Sequence, residues 1–173
     1  MKASTDANLE GRVMRYPRMD KEILAKYSKG IIASSGCPSG IIQTRLLLGQ
    51  FDEALRAAGE LQDIFGRDNF YIEFMDHGLK IEKQVTDGLL DIAKKLNAPL
   101  LATNDSHYVR AEDAGSQDAM LCINSGSTLD EPGRFKFDGT GYYLKSAEEM
   151  RELFKDIPEA CDNTLEIAER CNV

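Results

Sequence analysis

The sequence holds only two histidines, and each stands beside an aspartate: Asp76–His77 and Asp105–Ser106–His107. With Cys37, these are the residues whose types and spacing could do chemistry. Carboxylate and imidazole are hard and borderline ligands suited to Zn or Mn, and a cysteine thiolate strengthens the case for Zn. Each residue also has a plain structural reading. Asn104–Asp105 can simply turn the chain, because both types tolerate left-handed and Asx-turn geometry. His107 can be a satisfied loop histidine, Asp76–His77–Gly78 a strand-to-helix turn, and Cys37 before Pro38 a small buried residue. A D-x-H pair alone is a weak signal, and the pattern leaves both readings open.

The elements around these residues decide whether they can meet. Asp20 opens a short helix, KEILAKYS, which Gly30 stops. GIIASS (Gly30–Ser35) is a short β-branched run that predicts a buried strand ending in the turn GCPSG. Ser39 is placed to cap the next helix, GIIQTRLLLG. FDEALRAAGELQDIFG follows as a helix with Leu55, Ala58, Leu61, Ile64 and Phe65 on one face. FYIEFM (Phe70–Met75) predicts a second strand. Residues 79–96 predict a long amphipathic helix carrying Ile81, Val85, Leu89, Ile92, Ala93 and Leu96. PLLAT predicts a third strand. Strand, helix, strand at this spacing argues for βα units and a parallel sheet. In such sheets the carboxyl ends of the strands converge on one face, so Cys37, Asp76–His77 and Asp105–His107 are expected to approach one another.

The pattern changes after Tyr108. Residues 111–124 predict a helix. A Gly-rich stretch follows, with strand-like runs at 135–137 and 142–144. Ser146-x-x-Glu149 is a capping box, and Pro158 opens a last helix. The first twenty residues read as an irregular lead-in.

Composition narrows the class. With 21 Lys and Arg against 29 Asp and Glu, the formal net charge is −8, which argues against a broad phosphate-binding face without excluding nucleic acid. No apolar run approaches the roughly 20 residues of a membrane span. The first residues lack the apolar core of a secretory signal. Cys37, Cys122, Cys161 and Cys171 form no C-x-x-C pair, so reduced thiols in a cytoplasmic protein are expected. Cys122, Cys161 and Cys171 sit among apolar helix positions and are expected to be buried. There is no G-x-S-x-G, P-loop or G-x-G-x-x-G motif. Arg134 and Lys136 beside Phe135 and Phe137 read as the exposed face of a strand before they read as a nucleic-acid contact.

SGCPSG, MDHGLKIE, LLATNDSHYV, FKFDGTGYYLKSAEEM and PEACDNTLEIAERCN, in this order, resemble the alpha subunits of bacterial DNA polymerase III. The likeness is to the later part of the N-terminal PHP (polymerase and histidinol phosphatase) domain and the segment leading to the polymerase body, and it covers essentially the whole chain. It implies an α/β fold: a partial TIM-like PHP barrel of parallel βα units over residues 1–110, then a mostly helical segment over 111–173. It implies Cys37, Asp105 and His107 as metal ligands, for Zn or Mn. Asp76 and His77 become loop structure first and site lining second. In metal-competent members such a site supports a 3′–5′ exonuclease, where bound metal activates water and stabilises the leaving oxyanion. The parent polymerase uses Mg, and its partners are DNA and other replicase subunits.

The departures shape the expectation. The family's early H-x-H ligands, its further His, Asp and Glu ligands and its polymerase aspartates have no match here, and Gln117 stands where many members have a histidine. A fragment, an internal start or a truncated gene is expected, with open strand edges and an exposed half-core. Such a chain alone would bind metal weakly at most, turn over no nuclease substrate, and be marginally stable or associate with itself. The alternatives are a vestigial structural or partner-binding module, and an independent PHP-type phosphoesterase.

Overall fold

The computed structural model describes every residue except Arg15, Asn172 and Val173. At its centre is a parallel three-stranded sheet ordered β3 (Ala33–Ser34), β4 (Phe70–Phe74), β5 (Leu100–Ala102). Ala33 pairs with Phe70 and Ser34 with Tyr71, while Ile72, Glu73 and Phe74 pair with Leu100, Leu101 and Ala102. Side chains in register share a face of a parallel sheet. One face therefore carries Ala33, Phe70, Ile72, Phe74, Leu100 and Ala102. The other carries Ser34, Tyr71, Glu73 and Leu101.

The apolar face forms the core. It packs against Ile42 of α3 (Ile41–Leu47), against Ala54, Ala57 and Ala58 of α4 (Phe51–Phe65), and against Val85, Leu89 and Ile92 of α5 (Lys80–Leu96). Phe70, Ile72 and Ile92 are fully buried, each contributing about 1.5–3 kcal/mol by leaving water. Gly88 lets α5 approach α3, because a Cβ there would stand 2.8 Å from Leu46. Asn97, in the left-handed conformation at φ 48°, ends α5 and turns the chain into β5.

The βα units are those the sequence implies, but the sheet stops at three strands and does not close into a barrel among the described residues. The outer edge of β5 is covered by α8 (Pro158–Arg170), whose Asn163 side-chain amide donates to the Leu100 carbonyl at 2.7 Å. Phe154, which follows α7 (Ala147–Leu153), joins Ala160 and Cys161 of α8 in the same core. The segments on either side of residue 110 thus pack on each other.

Several expectations are corrected. The lead-in is ordered: α1 (Lys2–Leu9) precedes a two-stranded antiparallel hairpin, β1 (Arg12–Val13) with β2 (Tyr16–Pro17). Gly40, not Ser39, stands at the N-cap of α3, donating its N–H to the Cys37 carbonyl. Ile81 is exposed, because the buried stripe of α5 begins at Glu82 and Val85. Residues 135–137 are not a strand; they are held by ring contacts, and only Tyr143 forms an isolated bridge, to Tyr108. Cys171 lies at the exposed C-cap of α8 instead of in the core. Other elements match: Asp20 caps α2 (Lys21–Tyr27) by accepting from Ile23 N–H at 2.9 Å, and Ser146 with Glu149 forms the capping box of α7. Residues 111–113 form a 3-10 turn before α6 (Ala114–Ser125).

The chain exposes 11409 Å² of surface. A compact monomer of its mass would expose about 8,400 Å². The excess marks a chain that leaves more of its surface open to solvent than a closed globule would.

Candidate functional site

All three parallel strands end on the same side of the sheet, and their exits carry the residues singled out by type. The cluster begins inside the sheet with a residue that reading by type passed over. Glu73, in the middle of β4, is buried, and its carboxylate joins three strands. Oε2 accepts from Ser34 Oγ at 2.5 Å and from Gly36 N–H at 3.2 Å, and Oε1 accepts from Thr103 Oγ1 at 2.5 Å. The Glu73 N–H donates to Ser35 Oγ at 2.9 Å, and Gln43 reaches the same turn by donating to the Gly36 carbonyl at 2.6 Å. A buried carboxylate is tolerable only when donors replace its water. The readable signal was a lone glutamate inside FYIEFM, with hydroxyl residues at the ends of both neighbouring strands.

One turn beyond β4 stands His77. Its side chain is 2% exposed and that of its partner Glu82 4%. Nδ1 lies 2.6 Å from Glu82 Oε1, and Nε2 lies 2.7 Å from the Asn104 carbonyl. A carbonyl only accepts, so Nε2 carries hydrogen and donates to it. Glu82 Oε2 also accepts from the backbone N–H of His77 at 2.7 Å and of Leu79 at 3.1 Å, closing the first turn of α5. The imidazole stacks on Tyr142 at 4.2 Å between centroids, with 17° between the planes. His77 therefore ties the end of β4 to α5, to the end of β5 and to the segment near residue 142. Both ring nitrogens are engaged, which leaves neither free to hold a metal. Asp76 bonds locally, accepting from Gly78 N–H at 2.8 Å.

The loop after β5 is fixed from several sides. Asn104 donates to the Tyr143 carbonyl at 2.6 Å and accepts from Lys145 Nζ at 2.7 Å. Lys145 also donates to the Gly141 carbonyl. Burial pulls the Lys145 ammonium below its ordinary pKa, against the opposing effect of Glu149, Asp76 and Glu82. The His107 N–H donates to the Tyr142 carbonyl at 2.8 Å. Burial, followed by the charges of Glu82 and Asp105, pushes the Tyr142 hydroxyl up. Asp105 takes the left-handed conformation at φ 45°, the turn role its type allows.

Asp105 and His107 do come together: Oδ2 of one lies 3.4 Å from Nε2 of the other, and their side chains are 47% and 36% exposed. One side of the His107 ring meets Phe137 at 4.5 Å. Cys37 does not join them. It is exposed in the turn after β3, and among the described residues no three His, Cys, Asp or Glu side chains gather in an arrangement that could hold a metal ion. The donor chemistry of Asp105 and His107 suits Zn or Mn, but two ligands fall short of the usual tetrahedral set. The residues present do not fit a complete metal centre.

Comparison with known proteins gives a consistent picture. Residues 1–77 match the PHP domain family. The DNA polymerase III subunit alpha of Saccharopolyspora erythraea is 60% identical over 168 residues, covering 96% of this chain and 14% of that protein. The subunit of the same name from Mycobacterium tuberculosis is 55% identical over 170 residues, and that of Borreliella burgdorferi 42% over 172. This chain spans only 14–15% of the length of these relatives. Among the described residues no helix is long and apolar enough to cross a membrane.

Proposed function

Along nearly its whole length the chain is homologous to one stretch of the alpha subunits of bacterial DNA polymerase III, and from that premise we propose that it works as the PHP-type part of a replicative DNA polymerase. The reaction of such an enzyme is DNA-templated nucleotidyl transfer with Mg, in the cytoplasm, with DNA and other replicase subunits as partners. The observation that carries the reading is homology that runs from the first element to α8 and does not stop at a single motif. A stand-alone phosphoesterase is disfavoured, because the stretch from Phe135 to α8 shares in that homology and packs on the PHP-like sheet.

Within that enzyme the chain acts as a platform. Glu73 locks the three strands at their carboxyl ends. His77, Asn104 and Lys145 lock the strand-end loop to residues 141–145. A second reading, metal-supported 3′–5′ exonuclease activity, draws on Asp105 and His107, adjacent and half-exposed at a strand end. Cys37, Asp105 and His107 would be this chain's share of the Zn or Mn ligands, and they do not close a site by themselves.

The test is a chimera. This chain replaces the homologous stretch of the Mycobacterium tuberculosis subunit, and primer extension is measured. Extension close to that of the parent is expected. A folded chimera without extension would overturn the polymerase reading. Exonuclease activity lost in Asp105→Ala/His107→Ala would favour the second reading over a purely structural role.

A further inference from the structure

The hairpin β1–β2 takes no part in the strand-end cluster, yet it concentrates unusual features. Residues 1–29 carry seven Lys and Arg against four Asp and Glu, while the remainder carries 14 against 25. The stretch from Gly11 to Met19 holds three arginines and no acid. Two of the four acids are already engaged. Asp6 accepts from Tyr27 Oη at 2.6 Å and from Lys26 Nζ at 3.1 Å, and Asp20 caps α2. Arg12 and Arg18 are exposed, and neither side chain pairs with an acid among the described residues.

The same ribbon also exposes apolar side chains to solvent. Val13 and Tyr16 are a cross-strand pair on one face, 49% and 54% exposed, and Met14 at the turn is 89% exposed. Met14 has φ 57°, a conformation that favours Gly or Asn. A long apolar side chain kept at a strained, solvent-facing turn is a feature that folding alone does not ask for. The hairpin is nevertheless firmly closed. Arg18 N–H donates to the Gly11 carbonyl at 3.1 Å, and a Cβ on Gly11 would stand 2.1 Å from the Arg18 carbonyl oxygen.

We propose that the β1–β2 hairpin is a contact site for single-stranded DNA. Unpaired bases pack on Val13, Met14 and Tyr16, while Arg12 and Arg18 meet the phosphates that flank them. Cations interleaved with apolar and aromatic side chains suit a strand whose bases are free to stack. A locally cationic patch on an acidic chain is complementary to a polyanion. The choice of DNA as the polyanion rests on the polymerase reading.

The experiment measures fluorescence anisotropy of a labelled oligothymidylate, about 15 nucleotides long, against the full 173-residue chain over a range of salt concentrations. Arg12→Gln/Arg18→Gln is expected to weaken binding about tenfold or more at low salt and to flatten the log–log salt slope by about 1.4, since each lost contact to a single strand accounts for about 0.7. Met14→Gly suits the left-handed turn, so it is expected to fold at least as well as the parent chain while binding more weakly. That variant separates a contact role from a structural one. Unchanged affinity in both variants would overturn the proposal. So would equal or tighter binding of a duplex of the same length, or no binding by the parent chain, which would point to an acidic protein surface. Failure here leaves primer extension by the chimera intact, whereas failure of the polymerase reading abolishes it.

Discussion

Removing the Glu73 carboxylate tests how the strand ends are held. Its two oxygens accept from Ser34, Gly36 and Thr103, and the side chain is shielded from water. Glu73→Ala leaves the Thr103 hydroxyl and the Gly36 N–H without their partner, while the exposed Ser34 turns its hydroxyl to water, and a gap opens between three strands. Each buried donor left unmade costs about 1–3 kcal/mol, and hydroxyls recover part of this by rotating, so a total of about 3–5 kcal/mol is expected. Glu73→Gln keeps the shape. Its amide oxygen still accepts from Ser34 and Gly36, and its NH₂ donates to the Thr103 hydroxyl, which turns to accept. What is lost is the charge assistance, about 1–2 kcal/mol. At about 2–4 °C per kcal/mol for a chain of this size, Glu73→Ala lowers Tm by roughly 6–20 °C and Glu73→Gln by only a few degrees. Urea unfolding followed by circular dichroism gives both values, with an unchanged m-value confirming that the effect is on stability. Equal losses in the two variants, or a loss below about 1 kcal/mol for the alanine, would refute the hub.

Other outcomes follow from the same geometry. His77→Phe keeps the stack on Tyr142 but removes both ring hydrogen bonds and leaves Glu82 without a side-chain partner. It should cost about 2–4 kcal/mol, and the amide resonances of residues 104–108 should shift; unchanged spectra would contradict the clamp. Asp118 is gripped by both terminal nitrogens of Arg134 at 2.6 Å, which holds its carboxyl below the usual aspartate range. A carboxyl depressed by folding adds stability above its unfolded pKa and loses it as pH falls through the folded value. Arg134→Ala should therefore flatten the fall of Tm below pH about 4, and an identical acid limb would refute the pairing. The excess exposed surface predicts self-association, seen as a sedimentation coefficient that rises with concentration. A monodisperse monomer with a high melting temperature would contradict it.

The parts of this fold that were legible in the sequence are those where periodicity and burial agree. β4 and β5 are runs that lose their apolar character abruptly, and α5 carries its stripe at Val85, Leu89, Ile92 and Ala93. The shared side of the three strand ends followed from the parallel arrangement alone. What escaped reading has a physical reason in each case. α1 buries only Ala7, so no stripe marks it. The hairpin has two-residue strands and a Met at its turn in place of the Asn-Gly or Asp-Gly that usually signals one. Phe137 looked like part of a strand, but its order comes from His107 and Tyr142, distant in sequence. Glu73 and Glu82 were hidden by type, because a carboxylate is expected outside unless its donors are known. His77 reads from sequence as loop structure before site lining; its ring contacts Glu82 and Asn104, and the latter stands too far off in sequence to be foreseen.

The strand ends form a tied platform that presents Asp105 and His107 without completing a metal centre. The most direct measurement is a calorimetric titration of Zn and Mn into the purified chain, beside Asp105→Ala/His107→Ala. Weak binding is expected, with no stoichiometric high-affinity step in either protein. A tight one-to-one step in the parent chain that disappears in the double variant would contradict it, and would mean that a complete ligand set assembles from residues the fold holds apart.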